Sequence, residues 1–493
     1  MDIGQWITHL CGDINRFLWL WVGLTLLIIT GAWMTLRTGF FQIRYARHWL
    51  GQTLGRLSKR ADRRQGGISP FQALCTTLAA TVGVGNIAGV AVAIATGGPG
   101  AVFWMWVAAL LGMMTGYAES VLGIYYRRRG ADGWLGGAMY YIREGWGGKI
   151  GRVSAAAFAL CMTLASFGIG NMAQVSAITS HLESAFPLPL STWNGTSLYA
   201  LAVSGILTAV VGVILKGGSA RAASVAEKIV PPMIVLFLLG SLTVILINHQ
   251  RIGAAFGAIF RYAFTPSALW GAGGGVTLRQ VITCGFRRGT FSNEAGMGSS
   301  VAVHATTDVS EPVEQGMWSI LQVFVDTVVM CTVTALVVLT GGVMDLSNGR
   351  MLTDAPATAL VSKAFGGTLG HFGEGFVAVA VAVFAFTTIL GWSQFGAKAA
   401  AYLGDTPRRL YTPLFLLAIP AGAVMGGTAV LDLCDVFNGL MMVTNLPTLL
   451  LLSGTVKAIT DNYIDRRIHH KAVVPMLSHY PRIQHQMARE SRS

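Results

Sequence analysis

Residues 76–100, TTLAATVGVGNIAGVAVAIATGGPG, form a stretch long and apolar enough to cross a bilayer, yet Gly83, Gly85, Asn86 and Gly89 sit at its centre. A glycine inside a helix costs about 1 kcal/mol relative to alanine. Three of them around one asparagine, in a run otherwise made of strong apolar helix formers, predict a helix that unwinds locally. Unwound backbone exposes N–H and C=O groups, which are tolerated at membrane depth only where protein covers them or a cavity solvates them. Interrupted helices of this kind hold substrate and cation in secondary transporters. Two other readings compete. Small residues also let membrane helices pack closely, and the spacing of Gly83, Gly85 and Gly89 mimics a dinucleotide fingerprint. The fingerprint is excluded, because no strand precedes it and no acidic residue lies about twenty residues beyond.

The rest of the chain has the character of that stretch. Of its 493 residues, 53% are apolar and only 12% are charged, far more apolar sequence than a soluble core of this length needs. The composition is that of an all-α integral membrane protein. A net charge of +13 invites a nucleic-acid reading, but the Lys and Arg residues lie mainly between apolar runs, where they act as topology signals. The six cysteines, Cys11, Cys75, Cys161, Cys284, Cys331 and Cys434, are scattered without CxxC spacing, which predicts small-apolar packing and neither disulfide nor metal.

The first apolar run, residues 17–36, has no basic segment before it and no small-residue cleavage site after it, so it reads as a retained span and not a signal peptide. Arg37, Arg44, Arg47, Arg56, Lys59, Arg60, Arg63 and Arg64 follow, placing that loop in the cytoplasm and the N-terminus outside. Residues 40–57 mix Trp, Phe and Leu with Arg, as an interfacial helix does. Further spans are expected near 71–96, 102–126, 153–180, 198–215 and 229–247, with a basic loop at 216–228 and an external loop at 251–275. The third span carries Glu119, read as an interfacial or cation-paired residue or as a functional one. The fourth carries Asn171 and Gln174, three apart on one helix face, which fits either an interhelical hydrogen bond or a polar cavity wall.

A seventh segment, residues 276–306, repeats the opening pattern, because Asn86-Ile87-Ala88-Gly89 is echoed by Asn293-Glu294-Ala295-Gly296 amid small residues. Equivalent interruptions in two halves are the sequence pointer to an inverted-repeat binding site. Spans near 317–340, 371–395, 410–425 and 436–452 complete a set of eleven, and the basic tail from Lys457 ends in the cytoplasm. Asp326 falls near mid-depth of the eighth, where a carboxylate is functional by default and a hydrogen-bonded structural role is the alternative.

Four motifs, TTLAATVGVGNIAGVAVAIATGGPGAVFWMW, GGAMYYIREG, GFRRGTFSNEAGMGSSVAVHA and TTILGWSQFG, closely resemble those of the alanine or glycine:cation symporters, also called sodium:alanine symporters. The resemblance spans residues 74–395 and departs from the family at Ala138, where a proline is common. It implies the fold of bacterial leucine transporters (LeuT-like): two inverted five-helix repeats, residues 71–249 and 276–455, plus one N-terminal helix within residues 1–70, with an external loop at 250–275 and a basic tail from 456. It also implies sodium-coupled uptake of alanine or glycine in the bacterial cytoplasmic membrane, with Na+ as coupling ion, no organic cofactor and no catalysis. Carried over by motif, Thr81, Gly83, Gly85 and Asn86 cradle the cargo opposite Gln174. Phe291, Ser292 and Asn293 form the matching half of the pocket, and Trp392 is a wall. By the same resemblance, sodium lies between the carbonyls of Ala79 and Val82 and the hydroxyls of Thr387 and Thr388, with Asp326 as a candidate ion-coupling carboxylate. The rivals are proton coupling through Asp326 or Glu119, a glutamine or D-alanine cargo, and, more remotely, a channel or membrane enzyme. No HExxH motif or paired carboxylate supports the enzyme.

Overall fold

In lipid, each main-chain polar group must be satisfied within the protein, and apolar segments meet that demand as helices. The computed structural model describes residues 11–490 apart from 57–66, 131–132, 189–191, 194–195, 266–276 and 425–427. Lys59, Arg60, Arg63 and Arg64 of the first basic cluster and residues 266–275 of the external loop lie outside the described residues.

The principal helices are α1 (Cys11–Arg37), α2 (Pro70–Thr81), α3 (Gly85–Gly97), α4 (Gly100–Tyr125), α5 (Gly148–Ala185), α6 (Leu198–Leu215) and α7 (Gly218–Ile247). They are followed by α8 (Leu278–Asn293), α9 (Pro312–Thr340), α10 (His371–Leu403), α11 (Asp405–Val424), α12 (Thr428–Leu451) and α13 (Ser453–Arg467). Among the described residues, seven helices are long and apolar enough to cross a membrane, or up to nine when each bent pair is taken as one span. One bent pair is α2 and α3, which meet at 57°; the other is residues 435–451 of α12 with α13, at 58°. Residues 216–228, expected as a loop, are mostly helical, because α7 already starts at Gly218. The alanine-rich SARAASVAEK sequence favours helix strongly enough to extend the span.

The two interrupted elements start alike. Ser69 Oγ accepts from the Gln72 N–H (3.0 Å) while Gln72 Oε1 accepts from the Ser69 N–H (3.1 Å), a reciprocal cap on α2 reinforced by Pro70 in its first turn. Thr277 and Gln280 form the same capping box on α8. They stop differently. Helix α2 ends at Val82, whose ψ of 89° leaves the helical range. Helix α8 ends at Glu294, a non-glycine residue at φ +55°, and only a short helix, Val301–His304, follows it.

Small residues set how closely the helices approach. A Cβ at Gly391 of α10 would lie 2.6 Å from the Ala80 nitrogen and 2.7 Å from its Cβ, so α10 rests directly on α2. A Cβ at Gly285 of α8 would lie 2.5 Å from the Ala101 carbonyl of α4. On the side of α2 away from the break, Ile68 bridges to Thr307, and Arg127 donates to the carbonyls of Thr307 (2.6 Å) and Val309 (2.5 Å). Arg466 of α13 then grips Glu311 with two hydrogen bonds of 2.7 and 2.8 Å.

Replacing Gly391 by valine forces α10 off α2, and overpacking of this kind costs about 1–3 kcal/mol. The thermal unfolding midpoint of Gly391→Val in detergent is expected several degrees below that of the wild type; an unchanged midpoint contradicts the close contact.

Candidate functional site

The first break is held open by a side chain. In a continuous helix the N–H groups of Gly83 and Asn86 would donate to the carbonyls of Ala79 and Val82. Here the Gly83 N–H donates to Asn86 Oδ1 (3.0 Å), and the Asn86 N–H donates to the Gly83 carbonyl (3.1 Å). The carbonyls of Ala79 and Val82 thereby lose their helical donors. The amide nitrogen of Asn86 reaches across to α9, donating to the Asp326 carbonyl and to Asp326 Oδ1, both at 3.0 Å.

The second break uses the same device. Asn293 Oδ1 accepts from the Ala295 N–H (3.0 Å), and Asn293 Nδ2 donates to Thr327 Oγ1 (3.0 Å), one residue from Asp326. Ser292 Oγ (2.7 Å) and Thr327 Oγ1 (2.8 Å) both donate to Asp326 Oδ2. Asp326 itself is fully buried within a π-helical stretch of α9, Phe324–Cys331, whose wider turn directs side chains unlike an α-helix does.

Glu119 of α4 completes the second break. Its Oε1 accepts from the N–H groups of Gly296 (3.1 Å) and Gly298 (3.0 Å) and from Asn445 Nδ2 (2.6 Å), and Tyr141 in turn donates to Asn445 Oδ1 (2.6 Å). The sequence reading of Glu119 as an interfacial or cation-paired residue is corrected: it is fully buried and binds main chain. Unwound N–H groups buried this deeply need acceptors, and a carboxylate supplies strong ones.

Between the breaks lies a cavity of about 30 Å³, room for about one or two water molecules by volume. Thr81, Gly83, Gly85, Gln174, Phe291, Thr388 and Trp392, all expected from sequence, line it together. Asn86, Ser292 and Asn293 are not among its walls, because their side chains are committed to the Asp326 network. A Cβ at Gly83 would lie 2.5 Å from Thr388 Oγ1, so only glycine lets the first break sit against α10. Thr387 points elsewhere, donating to the Phe384 carbonyl (2.9 Å) beside the Met233 sulfur.

Helix α5 is distorted where it meets the cavity, with a π-helical stretch at Gly168–Met172. That turn sends Asn171 and Gln174 to different neighbours despite their helical spacing. Asn171 Nδ2 donates to the Phe415 carbonyl of α11 (2.7 Å), an interhelical bond, while Gln174 reaches the cavity. Trp392 packs against Gly170, where a Cβ would lie 2.3 Å from its own Cβ.

Two wall residues carry chemistry that sequence reasoning missed. Glu294 belongs to the NEAG echo, so the signal was present, but nothing in the sequence shows which way its side chain turns. Its Oε1 accepts from Trp392 Nε1 (3.0 Å) and its Oε2 from Ser299 Oγ (2.5 Å). Asn438 of α12 also lines the cavity and sits in an unremarkable apolar run with no local signal.

The sequence model of the sodium:alanine symporter family matches residues 4–475. A sodium/alanine symporter of Methanococcus maripaludis is 39% identical over 464 residues, covering 93% of this chain and 97% of the relative. An uncharacterized transporter of Haemophilus influenzae is 40% identical over 472 residues, covering 94% and 98%. A probable sodium/glutamine symporter of Bacillus subtilis is 34% identical over 466 residues, covering 93% and 91%.

Exchanging Asn86 for leucine leaves Asp326 Oδ1 and the Gly83 N–H without these partners, and each buried unsatisfied group costs about 1–3 kcal/mol. Asn86→Leu is expected to unfold at a clearly lower temperature than the wild type. A midpoint indistinguishable from the wild type contradicts the network.

Proposed function

The chain belongs to the sodium:alanine symporter family, and from that premise we propose that it carries alanine or glycine into the cell with sodium by alternating access. It is a multi-pass membrane transporter and not an enzyme. One observation carries the finer reading: Ala79 and Val82, in the break against which Thr388 packs, have carbonyls freed from helical duty by Asn86. Carbonyl and hydroxyl oxygens suit a hard cation such as sodium. Thr387 and Thr388 both donate to the Phe384 carbonyl of their own helix, but only Thr388 lines the cavity, so Thr387 would have to turn to join the site.

The cargo fits the other side of the break. The Asn86 N–H is taken by the Gly83 carbonyl, but among the described residues the Gly85 N–H has no main-chain acceptor, and Gly85 lines the cavity at the positive end of α3, which favours a carboxylate. Phe291 and Trp392 close the opposite wall of this small cavity, which favours small side chains over glutamine and does not distinguish the enantiomers of alanine. Sodium coupling is preferred over proton coupling because the matching family is that of sodium:alanine symporters and the Methanococcus maripaludis relative is a sodium/alanine symporter.

We further infer eleven spans arranged as two inverted five-helix repeats, residues 71–249 and 276–455, after one N-terminal helix, as in bacterial leucine transporters. Paired capping boxes at Ser69 and Thr277 and paired asparagines at Asn86 and Asn293 support the repeat. Helix α8 and helix α11 supply the spans that length and hydropathy pass over. The basic tail argues for a cytoplasmic C-terminus and an external N-terminus, in the inner membrane of a bacterium.

Proteoliposomes given separate sodium and proton gradients test the coupling. Labelled alanine is expected to accumulate under the sodium gradient alone, and accumulation that ignores sodium while following the pH gradient contradicts the proposal. Trp392→Ala is expected to let bulkier amino acids such as glutamine compete more strongly; an unchanged size preference removes Trp392 from the pocket wall.

A further inference from the structure

The two breaks differ in what they leave unpaired, and the difference gives the cavity a polarity. At the second break the main-chain donors are used: the N–H groups of Glu294 and Met297 reach the carbonyls of Thr290 and Glu294, that of Ala295 reaches Asn293, and those of Gly296 and Gly298 reach Glu119. From Glu294 to Gly298 every main-chain N–H is thus engaged. At the start of α3, across the cavity, the N–H groups of Gly83 and Asn86 are likewise taken, but among the described residues that of Gly85 has no acceptor.

What the second break and its neighbours offer is acceptors. Glu294 lines the cavity, is 5% exposed, and has neutral donors only, from Trp392 and Ser299, with no cationic partner among the described residues. A carboxylate has about four lone-pair sites, so about two are open. Gln174 donates through Nε2 to the Ile169 carbonyl (2.9 Å), which fixes its amide so that Oε1 is the free atom; that oxygen is buried and has no partner among the described residues. Asn438 is 1% exposed, and both its amide atoms lack partners among the described residues. Buried polar groups are rarely left unpaired, and a buried charge without a counter-charge is strongly unfavourable.

We propose that Glu294, Gln174 and Asn438 form the receptor for the α-ammonium group of the cargo, its carboxylate facing the start of α3, and that this acidic end restricts the carrier to zwitterions. The assignment rests on the amino-acid symport reading above. It makes Glu294 a specificity-determining residue: a molecule with alanine's size and carboxylate but a hydroxyl in place of the ammonium leaves the Glu294 charge uncompensated. The same acceptors could instead hold a sodium ion, and the test separates the two.

Purified full-length protein in proteoliposomes is assayed for alanine uptake with lactate as competitor, and in detergent for thermal stabilisation by sodium without any amino acid. Wild type is expected to take up alanine and to ignore a roughly hundredfold excess of lactate. Glu294→Gln is expected to raise the KM for alanine by about tenfold or more, the order of effect that losing a charge-assisted hydrogen bond gives, and to narrow the preference over lactate. Its sodium stabilisation should stay that of the wild type. Asn438→Leu, which leaves the Trp392 and Ser299 bonds intact, should raise the alanine KM several-fold with the same sodium response, and it decides the matter if Glu294→Gln does not fold. Unchanged alanine KM and continued exclusion of lactate in the folded variants overturn the assignment, as does loss of sodium stabilisation with alanine recognition retained, which would place the ion at Glu294. Wild type that takes up no amino acid under a sodium gradient fails earlier and overturns the symport reading itself, and this assignment with it.

Discussion

A single buried carboxylate joins the two interruptions on which this protein is built. Asp326 accepts from Asn86 in the first break and from Ser292 at the edge of the second, while Asn293 reaches its neighbour Thr327. A charge placed at membrane depth is expensive unless donors surround it. Here donors from both broken helices do so, which makes opening of either helix part of the same network. Such networks are worth most when every member is satisfied and are costly when one is lost. The breaks are therefore a stable feature of the fold, specified by side chains and not left to glycine flexibility alone.

Each asparagine also decides which main-chain groups stay free. Asn86 takes a donor that would have satisfied Ala79, and its own N–H no longer serves Val82, so the first break presents carbonyl oxygens on one side and the positive start of α3 on the other. Asn293 and Glu119 absorb the donors of the second break, leaving side-chain acceptors toward the cavity. A symmetric motif thus produces an asymmetric cavity. The physical origin is the different termination of the two half-helices, at an open turn beyond Val82 and at the left-handed Glu294.

Much of this is legible in the sequence because glycine and asparagine in an apolar run have few structural excuses. The broken span, the NEAG echo, and Thr81, Gly83, Gly85, Gln174, Phe291, Thr388 and Trp392 as neighbours around one cavity follow from pattern and family motif. What the pattern could not supply is direction. Asn86, Ser292 and Asn293 have the residue types of a polar pocket, but Asn86 and Ser292 donate to Asp326 and Asn293 to its neighbour Thr327, because a buried carboxylate draws the donors around it. The π-helical stretches in α3, α5 and α9 shift side-chain register in ways that a 3.6-residue period does not anticipate, which is why Asn171 and Gln174 part company. Asn438 was invisible for a simpler reason: one asparagine in an apolar span looks the same whether it packs or binds.

The central claim is that side chains hold α2 and α3 apart so that freed main-chain oxygens can receive a cation. A cryo-electron microscopy map of the protein purified in sodium and alanine tests it most directly. The account predicts an open turn at residues 82–84, with Asn86 bonded to Asp326 and cation density against the carbonyls of Ala79 and Val82. A helix running unbroken through Asn86, or a cation coordinated away from those two carbonyls, would contradict it.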